Sequence, residues 1–158
     1  MNQREWMTCD DPVAMVGTLT KSGIATDQQW LQFVVACCRH HEDVLNTKSL
    51  SALAAVEQRL VSGVWTKGIR FQAYDHAEEG FELACEEANY YDNPYGVDSP
   101  PEVRWAGLVG GSVEENPIDV AARAVTILGR QDRERACQML RDIFDSPPFK
   151  ILPTIPPK

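Results

Sequence analysis

Apolar side chains recur every three or four residues through most of this chain, and no segment alternates with period two for long enough to predict a strand. Signals for helix starts separate the apolar stretches. Asp11 before Pro12 is typical of an N-cap followed by proline at the first helical position. Thr26 and Gln29 have the spacing of a capping box. The sequence therefore predicts an all-α fold, with six or seven helices in one bundle-like domain.

The pattern also predicts which faces of the early helices are buried. Val13, Val16 and Leu19 should share the inner side of the first helix. A later helix should begin near Thr47 and stop at Gly63, because glycine is the usual residue after a helix C-terminus. Its expected apolar stripe consists of Leu50, Leu53, Ala54, Leu60 and Val61.

Other signals predict the order of the remaining helices. The segment 30–38 is apolar nearly all round, which is typical of a helix at the centre of a fold. Thr66, Ser99 and Asn116 are each expected to cap the start of a helix. The glycine-rich segment 110–112 is expected to end the helix that Ser99 starts.

The length of 158 residues fits one domain of common size. We expect a helical domain over residues 1–146 and an extended, proline-rich tail over residues 147–158. The tail carries apolar side chains that can lie along the body of the domain, namely Phe149, Ile151, Leu152 and Ile155.

The net charge of −8 is concentrated in one block of the chain. Residues 71–103 contain nine carboxylates and no lysine or arginine. In a helix predicted over residues 67–90, the apolar stripe and the acids follow the same period, so the acids should face solvent. The apolar stripe is Ala73, Ala77, Phe81, Ala84, Cys85 and Ala88, and the acids are Asp75, Glu78, Glu79, Glu82 and Glu86.

A surface of one sign attracts basic partners, so we expect a protein partner or a second copy of the chain to dock there. The loop after the acidic helix contains Tyr90, Tyr91 and Tyr95, and Trp105 follows. Tyrosine and tryptophan are enriched at protein interfaces. The candidate partner-binding residues are Glu78, Glu79, Glu82, Glu86, Tyr91 and Tyr95.

The composition disfavours nucleic-acid and membrane partners. Acids interleave with the arginines late in the chain, and the pI near 4.8 opposes phosphate binding. No stretch approaches the ~18 consecutive apolar residues of a membrane span, and no secretory signal is recognisable, so we expect a cytoplasmic protein. The arginines are instead predicted to pair with the acidic helix, within one molecule or between two copies; they are Arg123, Arg130, Arg133, Arg135 and Arg141.

Five cysteines without framework spacing predict reduced core thiols. Cys37 and His41 are four residues apart in a helical stretch and form a workable pair of zinc ligands, but a structural zinc site needs four. His76 and Cys85 are further metal candidates. Because the ligand set is incomplete, we expect no metal or cofactor, and histidines that lie at the negative end of a helix dipole. Zinc binding through Cys37 and His41 is the alternative.

No complete catalytic set is recognisable. Carboxylates that act on a glycoside or a metal pair must point at a shared site, whereas the acids predicted here point outward. The glycine-rich segment 107–112 lacks the preceding strand and the lysine of a phosphate-binding loop. The sequence therefore favours a non-catalytic protein over an enzyme.

Three separated motifs resemble a helical domain family, without assigned activity, that is abundant in planctomycete bacteria. The motifs are EWMTCDDP at 5–12, FVVACCR at 33–39 and MLRDIF at 139–144. The family usually continues from the third motif into GNPFRP, where this chain has DSPPFK, and it usually has a basic pair where this chain has His40 and His41. The resemblance implies an all-helical bacterial protein and no particular chemistry.

Together these patterns predict a non-catalytic module for protein interaction or assembly, with an acidic helical face. A zinc-binding protein and a structural subunit of a larger complex are the alternatives.

Overall fold

The computed structural model describes residues 1–90 and 98–144, and all regular structure in this part of the chain is helical. The predicted all-α class is therefore confirmed, with one helix more than the six or seven expected. A single turn of 3-10 helix (Glu42–Val44) follows α3. The helices are α1 (Gln3–Thr8), α2 (Pro12–Ser22), α3 (Asp27–His40), α4 (Thr47–Ser62), α5 (Lys67–Ala88), α6 (Pro101–Glu114), α7 (Pro117–Gln131) and α8 (Arg133–Ile143).

The additional helix is α1, which the sequence analysis did not predict. Asn2 accepts a hydrogen bond from the backbone N–H of Glu5, and the Glu5 carboxylate accepts one from the backbone N–H of Asn2. This reciprocal capping box satisfies two backbone donors and stabilises a helix of two turns. Its one buried side chain, Trp6, joins the core.

Most predicted helix starts are confirmed by the geometry of their caps. Asp11 accepts hydrogen bonds from the first backbone donors of α2, and Thr26 forms the expected capping box with Gln29. Thr66 and Asn116 cap α5 and α7 through their side chains. These caps need only a few neighbouring residues, which is why the sequence predicts them well.

The helix predicted to be central is central. α3 packs against α4, α6, α7 and α8. Trp30 and Phe33 on α3 are buried, and Phe144 at the end of α8 lies against Trp30 with the ring centroids 4.9 Å apart. The apolar sides of the surrounding helices converge on α3, so the domain has one core.

The structure contradicts two predictions about α6. Ser99 does not cap this helix, because the N-cap position belongs to Pro100, which makes no side-chain capping bond. The helix also continues through Gly110 and Gly111 to Glu114. Nine of its residues are buried, and this burial outweighs the cost of about 1 kcal/mol for each glycine in a helix.

Two predicted inner faces are partly wrong. Val13 is 57% exposed, because α2 buries Met15 beside Val16 and Leu19 instead. Val61 is 85% exposed at the end of α4, and the buried side of that helix is formed by Ser49, Ala52, Leu53 and Val56. Both valines lie to one side of the buried residues, because a side chain turns by about 100° per residue, which places Val13 about 100° from buried Pro12 and Val61 about 140° from buried Val56.

A close contact between α4 and α5 fixes the orientation of α5. Gly80 on α5 lies against the first turn of α4, where a Cβ atom at Gly80 would be 2.6 Å from the backbone nitrogen of Ser49. The Asn46 side chain donates a hydrogen bond of 2.7 Å to the Gly80 carbonyl and accepts one of 3.0 Å from the Ser49 N–H. Because Gly80 faces α4, the opposite side of α5 faces away from the domain.

Among the described helices, none combines the length and the apolar character that a membrane crossing requires. The predicted tail, 147–158, lies outside the described residues.

Candidate functional site

The carboxylates of α5 occupy its outer side, as the sequence predicted. Asp75, Glu78, Glu79, Glu82 and Glu86 are all exposed, and we call this set the acidic face. The opposite side of the helix is buried and consists of Ala73, Ala77, Gly80, Ala84 and Cys85. The separation follows from the helical period, since apolar and acidic residues recur in phase and only the apolar side packs on α4 and α6.

The acidic face is poorly neutralised. Lys48 Nζ lies 2.6 Å from Glu79 Oε2, and the Tyr74 hydroxyl donates a long hydrogen bond of 3.5 Å to Glu78. Asp75, Glu82 and Glu86 take part in no ion pair within residues 1–90 and 98–144. An exposed pair such as Lys48–Glu79 contributes at most about 1 kcal/mol and leaves the field of the other carboxylates in place.

The late arginines do not reach the acidic face in the same molecule. Arg123 pairs at 2.5 Å with Glu115, the residue that follows α6, and Arg141 donates to backbone carbonyls of Trp6 and Cys9. Across the described ranges, no ion pair joins α7 or α8 to α5. Pairing between two copies stays a prediction, and Arg130, Arg133 and Arg135 are exposed at the junction of α7 and α8.

The aromatic part of the predicted interface is only partly described. Tyr91 and Tyr95 lie outside the described residues. Tyr90 is half-buried, and Trp105 is fully buried inside α6. Trp105 therefore belongs to the core and not to an exposed aromatic patch.

A groove that was not predicted from the sequence runs beside the acidic face, between α5 and α6. Its volume is about 290 Å³. Small residues form its floor, and aromatic and acidic side chains border it; the lining consists of Tyr74, Ala77, Glu78, Phe81, Ala106, Gly107, Gly110, Glu114 and Glu115. A signal for this α5–α6 groove exists in the sequence, because Ala106, Gly107 and Gly110 lie on one side of a helix.

An exposed aromatic residue near the start of α5 lies on the same side of the helix as residues that line the groove. Phe71 is 70% exposed and precedes Tyr74, Glu78 and Phe81 by three, seven and ten residues, a spacing that places all four on one side of the helix. The first turns of α5, residues 67–72, are exposed throughout. A large apolar side chain in such a position is typical of a contact surface.

The residues proposed as zinc ligands are not brought together as a set. Cys37 is buried with its Sγ 4.0 Å from Met139 Sδ on α8, whereas His41 stacks on Trp105 of α6 with the ring centroids 4.1 Å apart. His76 and Cys85 are nine residues apart on α5, which places them on opposite sides of that helix. Within the described residues, no group of three or more His, Cys, Asp or Glu side chains is arranged to hold a metal ion.

Burial also makes the two adjacent thiols poor metal ligands and poor nucleophiles. It raises the pKa of Cys37 well above its ordinary value and the pKa of Cys38 to about 12. Since both roles require the thiolate, Cys37 and Cys38 behave as small apolar core residues at neutral pH.

His41 shows a competition between burial and the helix dipole. It caps the C-terminus of α3, where the helix dipole favours the charged imidazolium. Desolvation beside Trp105 opposes this and lowers the pKa of His41, and the neighbouring His40 lowers it further. Burial is the stronger effect, so His41 is neutral near pH 7.

Comparison of the chain with protein-family models, with curated proteins and with solved structures finds no match. The resemblance to the planctomycete domain family stays a prediction that rests on its three motifs.

Proposed function

We propose that this chain is a non-catalytic interaction module whose acidic face binds a basic surface of a partner protein. The observation that carries the proposal is the set of exposed carboxylates on α5, most of which have no cationic partner within the described residues. Glu78, Glu79, Glu82 and Glu86 are the proposed binding residues, together with Tyr91 and Tyr95 from the part of the sequence that follows α5.

The electrostatics of the face suit association with a basic partner. Neighbouring carboxylates along one side of α5, three or four residues apart, lie within a Debye length of each other at physiological salt, so their fields add at the position of an approaching cation. Like charges at this spacing destabilise the free helix slightly, and a basic partner removes that repulsion on binding. The association should therefore weaken as salt is raised.

A lysine-rich peptide is the appropriate probe. Binding of a fluorescein-labelled octalysine peptide to the full chain can be followed by fluorescence anisotropy at low salt and at about 0.5 M salt. We expect the triple variant Glu78→Gln/Glu82→Gln/Glu86→Gln to bind about tenfold more weakly at low salt, since each exposed charge pair contributes up to about 1 kcal/mol.

A matched control variant tests whether peptide binding depends on the position of the removed charges or only on their number. Asp10→Asn/Asp43→Asn/Glu134→Gln removes three exposed carboxylates outside α5 and changes the net charge equally. This control should bind nearly as well as the wild type. Equal weakening by both triple variants would show that only net charge matters, and the proposal would be wrong.

Self-association through the same face is a second candidate, and exposed Arg130, Arg133 and Arg135 favour it. Those arginines would meet the acidic face of a neighbouring copy. Sedimentation of the wild type at low and high salt tests this, because such contacts should dissociate as salt increases. A permanent subunit of a larger assembly would use the same face and would differ only in the lifetime of the contact.

A further inference from the structure

The floor of the α5–α6 groove has open space above Gly110. A Cβ atom built on Gly110 would meet nothing within 4 Å, although Gly110 lies in the interior of α6. Ala77 and Ala106 border the same space with side chains of one carbon each. The two helices are thus in contact, yet room remains between them for an aliphatic side chain.

The rim of the groove selects the charge of its occupant. Glu78 borders it on the α5 side, and Glu114 borders it on the α6 side. Glu114 faces Arg70 at 3.9 Å, a long and exposed pair that leaves both side chains accessible. Tyr74 and Phe81 add apolar surface between the carboxylates, so the groove combines an apolar floor with an acidic border.

We infer that the α5–α6 groove seats one leucine- or isoleucine-sized side chain of a partner segment, whose flanking lysine or arginine residues contact Glu78 and the acidic face. This inference rests on the proposed function and adds the sequence class of the partner. An acidic or purely polar segment is excluded from the groove, because it would meet carboxylates at the rim and bury unpaired polar groups on the floor.

Two peptides of equal charge test the inference. One has a leucine–isoleucine core flanked by lysines, and the other has glycines at the two core positions. Fluorescence anisotropy with the full chain should give tighter binding of the leucine peptide by about tenfold, since burial of one aliphatic side chain contributes about that factor. The preference should persist at high salt, because it does not depend on charge.

A substitution on the floor then locates the site. Gly110→Leu fills the groove with a leucine side chain from the protein itself and should remove the preference for the leucine peptide. Gly17→Leu is the matched control, since a Cβ at Gly17 in α2 also meets nothing within 4 Å and lies in a helix that does not line the groove. Gly110→Ala is a milder second variant, which should fold at least as stably as the wild type and lose part of the preference.

Each result has a defined meaning. If the wild type binds both peptides equally while the neutralised acidic face weakens both, the groove inference is wrong and the proposed function stands. If neutralising the acidic face weakens the binding of neither peptide, the proposed function is wrong as well.

The assignment to a partner is also overturned if the Ile151→Ser/Leu152→Ser variant of the full chain binds the leucine peptide more tightly than the wild type does. That result would identify the chain's own C-terminal segment as the occupant. Dissociation of a dimer by Gly110→Leu would instead identify a second copy.

Discussion

Replacement of Gly80 by alanine should destabilise this protein, although the same change stabilises most helix interiors. The perturbation is one methyl group at the contact between α5 and the first turn of α4. The added Cβ would lie 2.5 Å from Ser49 Oγ, 2.6 Å from the Ser49 backbone nitrogen and 3.1 Å from Asn46 Oδ1. The hydroxyl can rotate away, but the backbone nitrogen belongs to α4 and moves only with that helix.

The magnitude follows from opposing contributions. Alanine gains about 1 kcal/mol over glycine in a helix interior. Overpacking in a rigid environment costs about 1–3 kcal/mol. Separation of the helices by the roughly 1 Å needed for normal contact also weakens the hydrogen bond from Asn46 to the Gly80 carbonyl, at a cost of about 1 kcal/mol. The net expectation is a loss of about 2 kcal/mol in the free energy of unfolding.

Urea and thermal unfolding followed by circular dichroism measure this change. In a domain of this size, a loss of about 2 kcal/mol lowers Tm by about 4–8 °C. Gly17→Ala is the control, because Gly17 is also in a helix interior and has open space around its Cβ position. That variant should gain up to about 1 kcal/mol and raise Tm slightly.

Stabilisation of the protein by Gly80→Ala to the same extent as by Gly17→Ala, with an unchanged m-value, would contradict this expectation. Such a result would mean that α4 accommodates the methyl group without loss of packing. The close contact at Gly80 would then not determine how α5 presents its acidic face.

Three further predictions concern the core and the helix ends. Iodoacetamide at mildly alkaline pH should modify the partly exposed Cys9 long before Cys38, because burial raises the pKa of Cys38 to about 12. Mass spectrometry of peptides should report this order, and early modification of Cys38 would contradict its buried position. Burial lowers the pKa of His41 in the folded state, so the stability it contributes is present above the unfolded pKa near 6.5 and is lost as pH falls through the folded pKa. Urea midpoints at pH 7.5 and 5 should therefore differ less in His41→Gln than in the wild type, and an equal difference would rule out this cause. Glu57→Gln should lower the free energy of unfolding by about 0.5–1 kcal/mol, because it removes the charge from a two-bond ion pair with Arg39 in which each side chain is about one-third exposed. This loss should become smaller at high salt. A loss that does not depend on salt would indicate a packing effect.

The interactions that the sequence predicted correctly are local ones. The caps at Asp11, Thr26, Thr66 and Asn116 involve residues two or three positions apart, so no knowledge of the fold is needed to recognise them. The acidic face of α5 is predictable for a related reason, because one helical period fixes which residues share a side. α1 was missed even though its capping box from Asn2 to Glu5 is equally local, since the helix is too short to show an apolar period.

The predictions that failed depend on which helix packs where. Gly110 and Gly111 have the low helix propensity expected of a stop, yet burial of α6 in the core keeps them helical. Gly111 also lies close to α7, because a Cβ there would be 2.8 Å from Arg123 Nη2 and 3.3 Å from Val120. Val61 is in phase with Leu50 and Ala54, but the neighbouring helices cover a different side of α4, formed by Ser49, Ala52, Leu53 and Val56, so Val61 is exposed.

The candidate site divides in the same way. The sequence alone determined that the carboxylates of α5 share one side, because the spacing of residues along one helix is set by its backbone hydrogen bonds. Tertiary structure decided that a groove with an open floor at Gly110 runs beside them, and that Cys37 and His41 face different helices. Those features depend on the distance and rotation between helices, which are set by side chains far apart in the chain.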